Sequence, residues 1–109
     1  MEPPEPPLVS KREASEDLGV PADILEAMYS KYEGKTSGLI GSILRGVDVA
    51  NAAHTLKGSA GNLRLHRLEL AALEIEKGVT AARVARLVSV WRNTVDELKN
   101  ETAMHRDAR

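Results

Sequence analysis

The chain contains no cysteine and no phenylalanine. Without cysteine there is no disulfide, no thiol nucleophile and no cysteine-based zinc site, a composition that fits a reducing compartment, and the cytoplasm is the expected location. Aromatic residues make up 3% of the 109 residues, and no run alternates β-branched with polar residues, so strand signals are nearly missing. No apolar run approaches the length of a membrane span, and the N-terminus lacks the basic-then-apolar order of a secretory signal. The formal net charge of −1 supplies no strong field for a polyanion or a membrane surface, so neither nucleic acid nor membrane is expected as a partner. Ser-His-Asp, phosphate-loop and paired-acid motifs do not occur, and no histidine has the acid or i, i+4 partners of a metal site. No metal and no cofactor is expected.

What is present is helical periodicity. Four of the five prolines stand in "MEPPEPP", which cannot continue a helix. Residues 1–10 therefore read as a flexible Pro-rich tail or linker, 11–105 as one helical domain and 106–109 as a second tail. "SKREASEDLG" predicts a short helix closed by Gly19, with Pro21 in the first turn of the next. From there Leu25, Met28, Tyr32, Leu39 and Ile43 form one helical stripe ending near Arg45. Tyr29 fits either side of it. Gly34, Gly38 and Gly41 either break that segment in two or mark a face that something approaches. Gly46 is a C-terminal cap, and the Asp48 carboxylate is an N-cap for a helix beginning near Val49. After a turn near Gly61–Arg64, Leu65, Leu68, Ala72 and Ile75 give the next stripe, ending at Gly78. Thr80 caps a last helix whose stripe is Val84, Leu87, Trp91, Val95 and Leu98. Four such stripes with short connections predict an all-α, antiparallel four-helix bundle with a short additional N-terminal helix, expected to be a monomer.

One stretch departs from ordinary helix: "AHTLKGSAGN", residues 53–62. At 100° per residue, Val49, Ala52, Ala53, Leu56, Ala60 and Leu63 share a core-facing side. His54, Lys57, Gly58 and Gly61 fall opposite, toward solvent. A glycine inside a helix costs about 1 kcal/mol relative to alanine, so glycines beside an exposed histidine call for another reason: steric access for a partner's active site, or close packing against a neighbouring helix. For Gly61, easing the helix end is a third possibility. A neutral imidazole is a nucleophile near pH 7, and an ammonium one turn away on the same face can compensate an acquired phosphoryl charge. Counting back from the turn at residues 46–47 sets Gly38, Leu39, Ile40 and Gly41 opposite His54 as a docking surface. Ser59 lies off this face, and His66 and His105 read as incidental surface residues.

The block His54, Leu56, Lys57, Gly58, Ser59, Ala60, Asn62 and Leu63 resembles the signature of histidine-containing phosphotransfer (HPt) domains, the four-helix carriers of phosphorelays. Leu68, Ala72, Ile75 and Glu76 sit where similar domains place residues of the following helix, and the likeness spans roughly residues 15–100. The resemblance implies that His54 exchanges a phosphoryl group with an aspartate of a response-regulator receiver domain or a hybrid sensor histidine kinase, as a phosphocarrier with no kinase or phosphatase activity of its own. It implies further that magnesium belongs to the receiver alone. A receiver-binding module without phosphotransfer, and a phosphoacceptor domain of a larger hybrid or chemotaxis-type kinase, are the alternatives. Many similar domains have a glycine directly after the Asn-Leu pair; here Arg64 occupies it, at the turn out of the active helix, and is placed to select partners by charge.

Overall fold

A computed structural model describes the backbone of residues 6–107 and the side chains of residues 6–99. It contains α1 (Lys11–Leu18), α2 (Ala22–Leu44), α3 (Val49–Asn62), α4 (His66–Lys77) and α5 (Ala81–Asp107). Helices α2 to α5 pack in sequence and close on one another through α2 and α5, while α1 lies against α2. The result is the four-helix bundle with an extra N-terminal helix that the periodicity implies. The expected stripes of α3 and α4 are its core: Leu56, Leu65 and Leu68 are fully buried, with Ala52, Ala53, Ala60, Leu63, Ala72 and Ile75 around them. In α5, Leu87, Trp91 and Leu98 are buried, and Val84 and Val95 pack against the core from its edge.

Helix α2 is one continuous rod through Gly34, Gly38 and Gly41, because its buried side, Leu25, Tyr29, Tyr32, Thr36, Ile40 and Ile43, anchors every turn. Tyr29 and Ile40 therefore belong to the core, whereas Met28 and Leu39 are half-buried at its edge. The placement of Ile40 on a docking surface is corrected: at 5% exposure its side chain points into the bundle.

The connections follow local chemistry. Gly46 takes a left-handed φ of 70°, which lets Val47 N–H reach back to the Ser42 carbonyl at 2.9 Å and close α2. Asp48 is at the start of α3 as expected, but with φ 47° its carboxylate does not cap the helix. It accepts instead from the Asn51 side-chain amide at 3.2 Å. Thr80 does cap α5, its hydroxyl accepting the Arg83 N–H at 3.1 Å.

The turn out of α3 answers the question raised by Arg64. Leu65 N–H bonds the Ala60 carbonyl at 2.9 Å, which requires a left-handed residue between them, and Arg64 supplies it at φ 59°. A side chain in that region is strained. Two contacts offset the strain: the Arg64 guanidinium donates to Asp17 of α1 at 2.7 Å and to the Gly61 carbonyl at 2.7 Å. Its charge is thus engaged within its own chain, which corrects its reading as a partner selector.

The N-terminal arm is also corrected in part. Residues 6–10 are without helix, yet Val9 is buried in the core and Arg67 of α4 donates to the Pro6 carbonyl at 2.6 Å. Residues 1–5 lie outside the described residues. The boundary set at 105 falls within α5, and residues 108–109 of the second tail lie outside the described part, as does the His105 side chain.

Two outcomes are expected from this packing. Leu68→Ala, at a fully buried position, lowers the stability measured by urea unfolding by about 2–5 kcal/mol; a loss under ~1 kcal/mol contradicts the placement. Asp17→Asn lowers the thermal midpoint of the natural chain and has little effect once Arg64 is replaced by glycine, because glycine needs no offsetting contact.

Candidate functional site

Helices α3 and α4 form a tight hairpin, and its register decides what faces what. At the turn end, a Cβ on Gly61 would come within 2.6 Å of a Glu69 carboxylate oxygen. The space beside Gly61 is therefore occupied by the Glu69 side chain of α4, which corrects its reading as a point of access. Two helical turns out along both helices, the same register brings His54 beside Glu76.

The His54 side chain is 73% exposed. Its Nδ1 lies 2.8 Å from Glu76 Oε1, and Lys57 Nζ donates to the other oxygen, Oε2, at 2.9 Å. The Lys57 hydrogen bond holds the Glu76 carboxyl below the usual carboxylate range; desolvation, the next largest influence, opposes it, and the His54 hydrogen bond adds to the lowering. An ionised carboxylate can only accept hydrogen bonds, so Nδ1 must carry a proton. In the neutral ring that leaves the lone pair on Nε2, the nitrogen turned away from Glu76. This is the geometry of an oriented nucleophile: one ring nitrogen fixed by a carboxylate, the other free. Glu76 acquired no role from sequence beyond its match to the family pattern, although counting outward from the α3–α4 turn, rather than the α2–α3 turn, would have found it.

The access residues divide. Gly58 is exposed, and a Cβ there meets nothing within 4 Å, so the surface one turn from His54 is clear on that side. On α2, the Tyr29 hydroxyl donates to the Leu63 carbonyl at 3.0 Å, and the buried Tyr32 hydroxyl lies beside Ser59, its pKa pushed up by desolvation. Carried along the pair, this register sets Gly38 level with His54, as counting from the other hairpin implied. Gly38 is exposed, with open space around it. Gly41 is covered by the Arg45 guanidinium, 3.2 Å from where its Cβ would lie. Leu39 is at the core's edge. Gly61 and Arg64 sit at the far end of α3, Gly61 about 10 Å from His54 along the axis.

His66 is not merely incidental: its Nε2 lies 3.2 Å from Glu13 and its Nδ1 3.6 Å from Glu69, joining α4 to α1 beside the Arg64 pair. Among the described residues no group of three or more His, Cys, Asp or Glu could hold a metal, and no helix is long and apolar enough to cross a membrane.

The depressed Glu76 pKa carries a pH dependence of known sign. A carboxylate with a lower pKa folded than unfolded contributes stability that is present above the unfolded value, about 4.3 for glutamate, and is lost as pH falls through the folded value. Urea midpoints of the natural chain and Glu76→Gln are therefore expected to differ at pH 6 and to converge toward pH 3. A constant difference contradicts the assignment.

Comparison with protein families gives a match to the Hpt domain model over residues 41–102, more than half of the chain, beginning at the end of α2 and enclosing α3, α4 and most of α5. Comparison with curated proteins and with solved structures gives no match. The matched segment contains the hairpin that carries His54, Lys57 and Glu76 on one surface, and the chain belongs to the Hpt domain family, the histidine phosphotransfer modules of phosphorelays.

Proposed function

We propose that His54 is the phosphoryl acceptor and donor of this module and that its exchange partner is the aspartyl phosphate of a receiver domain. The observation that carries the reading is the exposed imidazole with Nδ1 held by Glu76. The Nε2 lone pair attacks phosphorus, the nitrogen–phosphorus bond forms, and the bond from phosphorus to the aspartyl oxygen breaks, releasing the aspartate as a carboxylate. The ring gains positive charge as it loses its lone pair, and Glu76 is already hydrogen-bonded to the Nδ1 proton that shares this charge. It therefore stabilises the transition state more than the resting ring. Lys57, 30% exposed, reaches the incoming phosphoryl oxygens by leaving Glu76. Magnesium and the acidic pocket belong to the receiver, so this chain contributes a nucleophile and a docking surface, and no kinase or phosphatase chemistry of its own.

Gly58 and Gly38 leave that surface free of side chains where the partner must close around the ring. Proximity governs the transfer, so a small obstruction has a large effect on rate. Leu39 and Gly41, half-buried between these positions and the core, belong to the edge of the same surface.

Incubation with a radiolabelled phospho-receiver is expected to label the natural chain with acid-labile phosphate and to leave His54→Gln, correctly folded, without label. Label retained by His54→Gln overturns the assignment. Lys57→Ala and Glu76→Gln are each expected to slow transfer roughly tenfold, equivalent to about 1.4 kcal/mol in the barrier. Gly58→Ala separates folding from function: it is expected to stabilise the free protein by up to about 1 kcal/mol, because the space is open, while slowing transfer. A faster or unchanged transfer rate contradicts the access role.

A further inference from the structure

A cavity among the described residues lies away from the His54–Glu76–Lys57 surface. It is an open groove of about 840 Å³ between the C-terminal end of α2 and the N-terminal half of α5. Its origin is in the sequence: α5 presents Ala81, Ala85 and Ser89 here, side chains too short to fill the space across to α2. The groove is consequently apolar and unfilled. Val84 and Val88 form its floor, half-buried against the core, and Leu44 and Val79 stand at its sides, each 57% exposed. Large aliphatic side chains left this exposed on a shared concave surface mark a place where something docks.

The charges on the groove identify the occupant. Its lining includes Arg45 and Arg92 and no aspartate or glutamate. Arginines elsewhere are engaged: Arg12 with Glu16, Arg64 with Asp17, and Arg83 with Glu74 and the Gly78 carbonyl. The Arg45 and Arg92 guanidinium groups have no ion-pair or hydrogen-bond partner among the described residues. Symmetric pairing of two copies through this face would bring arginines against arginines, so a second copy of the chain is a poor occupant. An aliphatic floor between two helices suits the apolar side of a third helix better than a nucleic acid, which calls for stacking or phosphate contacts along a strand.

We propose that this groove is a second docking site, separate from the phosphoryl-exchange surface, for an amphipathic helix of a partner protein whose apolar side is flanked by acidic residues. Apolar side chains at helical spacing enter between Leu44 and Val88, and carboxylates meet Arg45 and Arg92. The groove lies between α2 and α5, whereas His54 meets Glu76 between α3 and α4, so a helix seated in the groove lies on a different face of the bundle from the imidazole.

The test uses the full chain, isotope-labelled, with two synthetic helical peptides of identical leucine spacing, one flanked by glutamates and one by lysines. The glutamate peptide is expected to shift the amide resonances of residues 43–46 and 79–93, and the lysine peptide to bind at least tenfold more weakly. Arg45→Glu combined with Arg92→Glu is expected to reverse that preference, and Ala85→Trp, which fills the groove from its α5 side, to abolish binding of both. Phosphotransfer to His54 is read in Arg92→Glu and in Ala85→Trp, both on α5, and is expected to be unchanged, so failure of the groove and failure of the proposed function are told apart. Equal binding of the two peptides, shifts centred elsewhere, no binding at millimolar peptide, or self-association of the free chain through these residues each overturn the proposal.

Discussion

A single carboxylate on α4 holds two side chains of α3 at once, and the character of the surface follows from it. Glu76 accepts a hydrogen bond from His54 Nδ1–H on one oxygen and one from the Lys57 ammonium on the other. An imidazole that is mostly exposed would otherwise rotate freely about its side-chain bonds and exchange tautomers. The carboxylate selects one orientation and one tautomer, and it does so without burying the ring. The balance is electrostatic: Lys57 neutralises much of the Glu76 charge, so the carboxylate orients the ring while the local surface stays close to neutral. Under the proposed function, a partner bearing a phosphoryl group would meet an ammonium at this place instead of an uncompensated anion.

That arrangement depends on the α3–α4 hairpin, and the hairpin on its turn. Leu65 closes the turn from inside the core, and Arg64 takes the left-handed conformation that lets the chain reverse. The hydrogen bonds from Arg64 to Asp17 and from His66 toward Glu13 tie the turn to α1. The added N-terminal helix thus braces the end of the hairpin opposite the histidine, and the docked residues 6–10 continue the same brace along α4.

Much of this was legible in the sequence, for reasons that differ by residue. The core of α3, α4 and α5 follows directly from helical spacing, because a stripe of leucine, alanine and valine at 100° per residue has one way to bury itself. His54 was legible as exposed for the same reason. Helix α2 was harder: Tyr29, Thr36 and Ile40 are core residues whose polarity or neighbours blurred the stripe, and the glycines at 34, 38 and 41 weakened local propensity that tertiary packing overrides. Glu76 does not stand out in the sequence because its contacts with His54 and Lys57 are made across two helices, and charged residues on a helix face are ordinary. In the sequence the Arg64 charge looks free because its partner, Asp17, is far away along the chain and reaches it only through the placement of α1. The groove at α2 and α5 left no sequence signal beyond a few small residues, since an unfilled space appears only when two helices are set side by side.

In the arrangement of His54, Lys57 and Glu76, the Glu76 carboxylate fixes His54 with the proton on Nδ1 and the lone pair on Nε2. Nitrogen-15 shifts of the His54 ring, assigned through long-range correlations at neutral pH, test it most directly. An Nδ1-protonated neutral tautomer is expected in the natural chain, with a shift toward the usual tautomer mixture in Glu76→Ala. A ring protonated on Nε2, or a tautomer balance indifferent to Glu76, would contradict it.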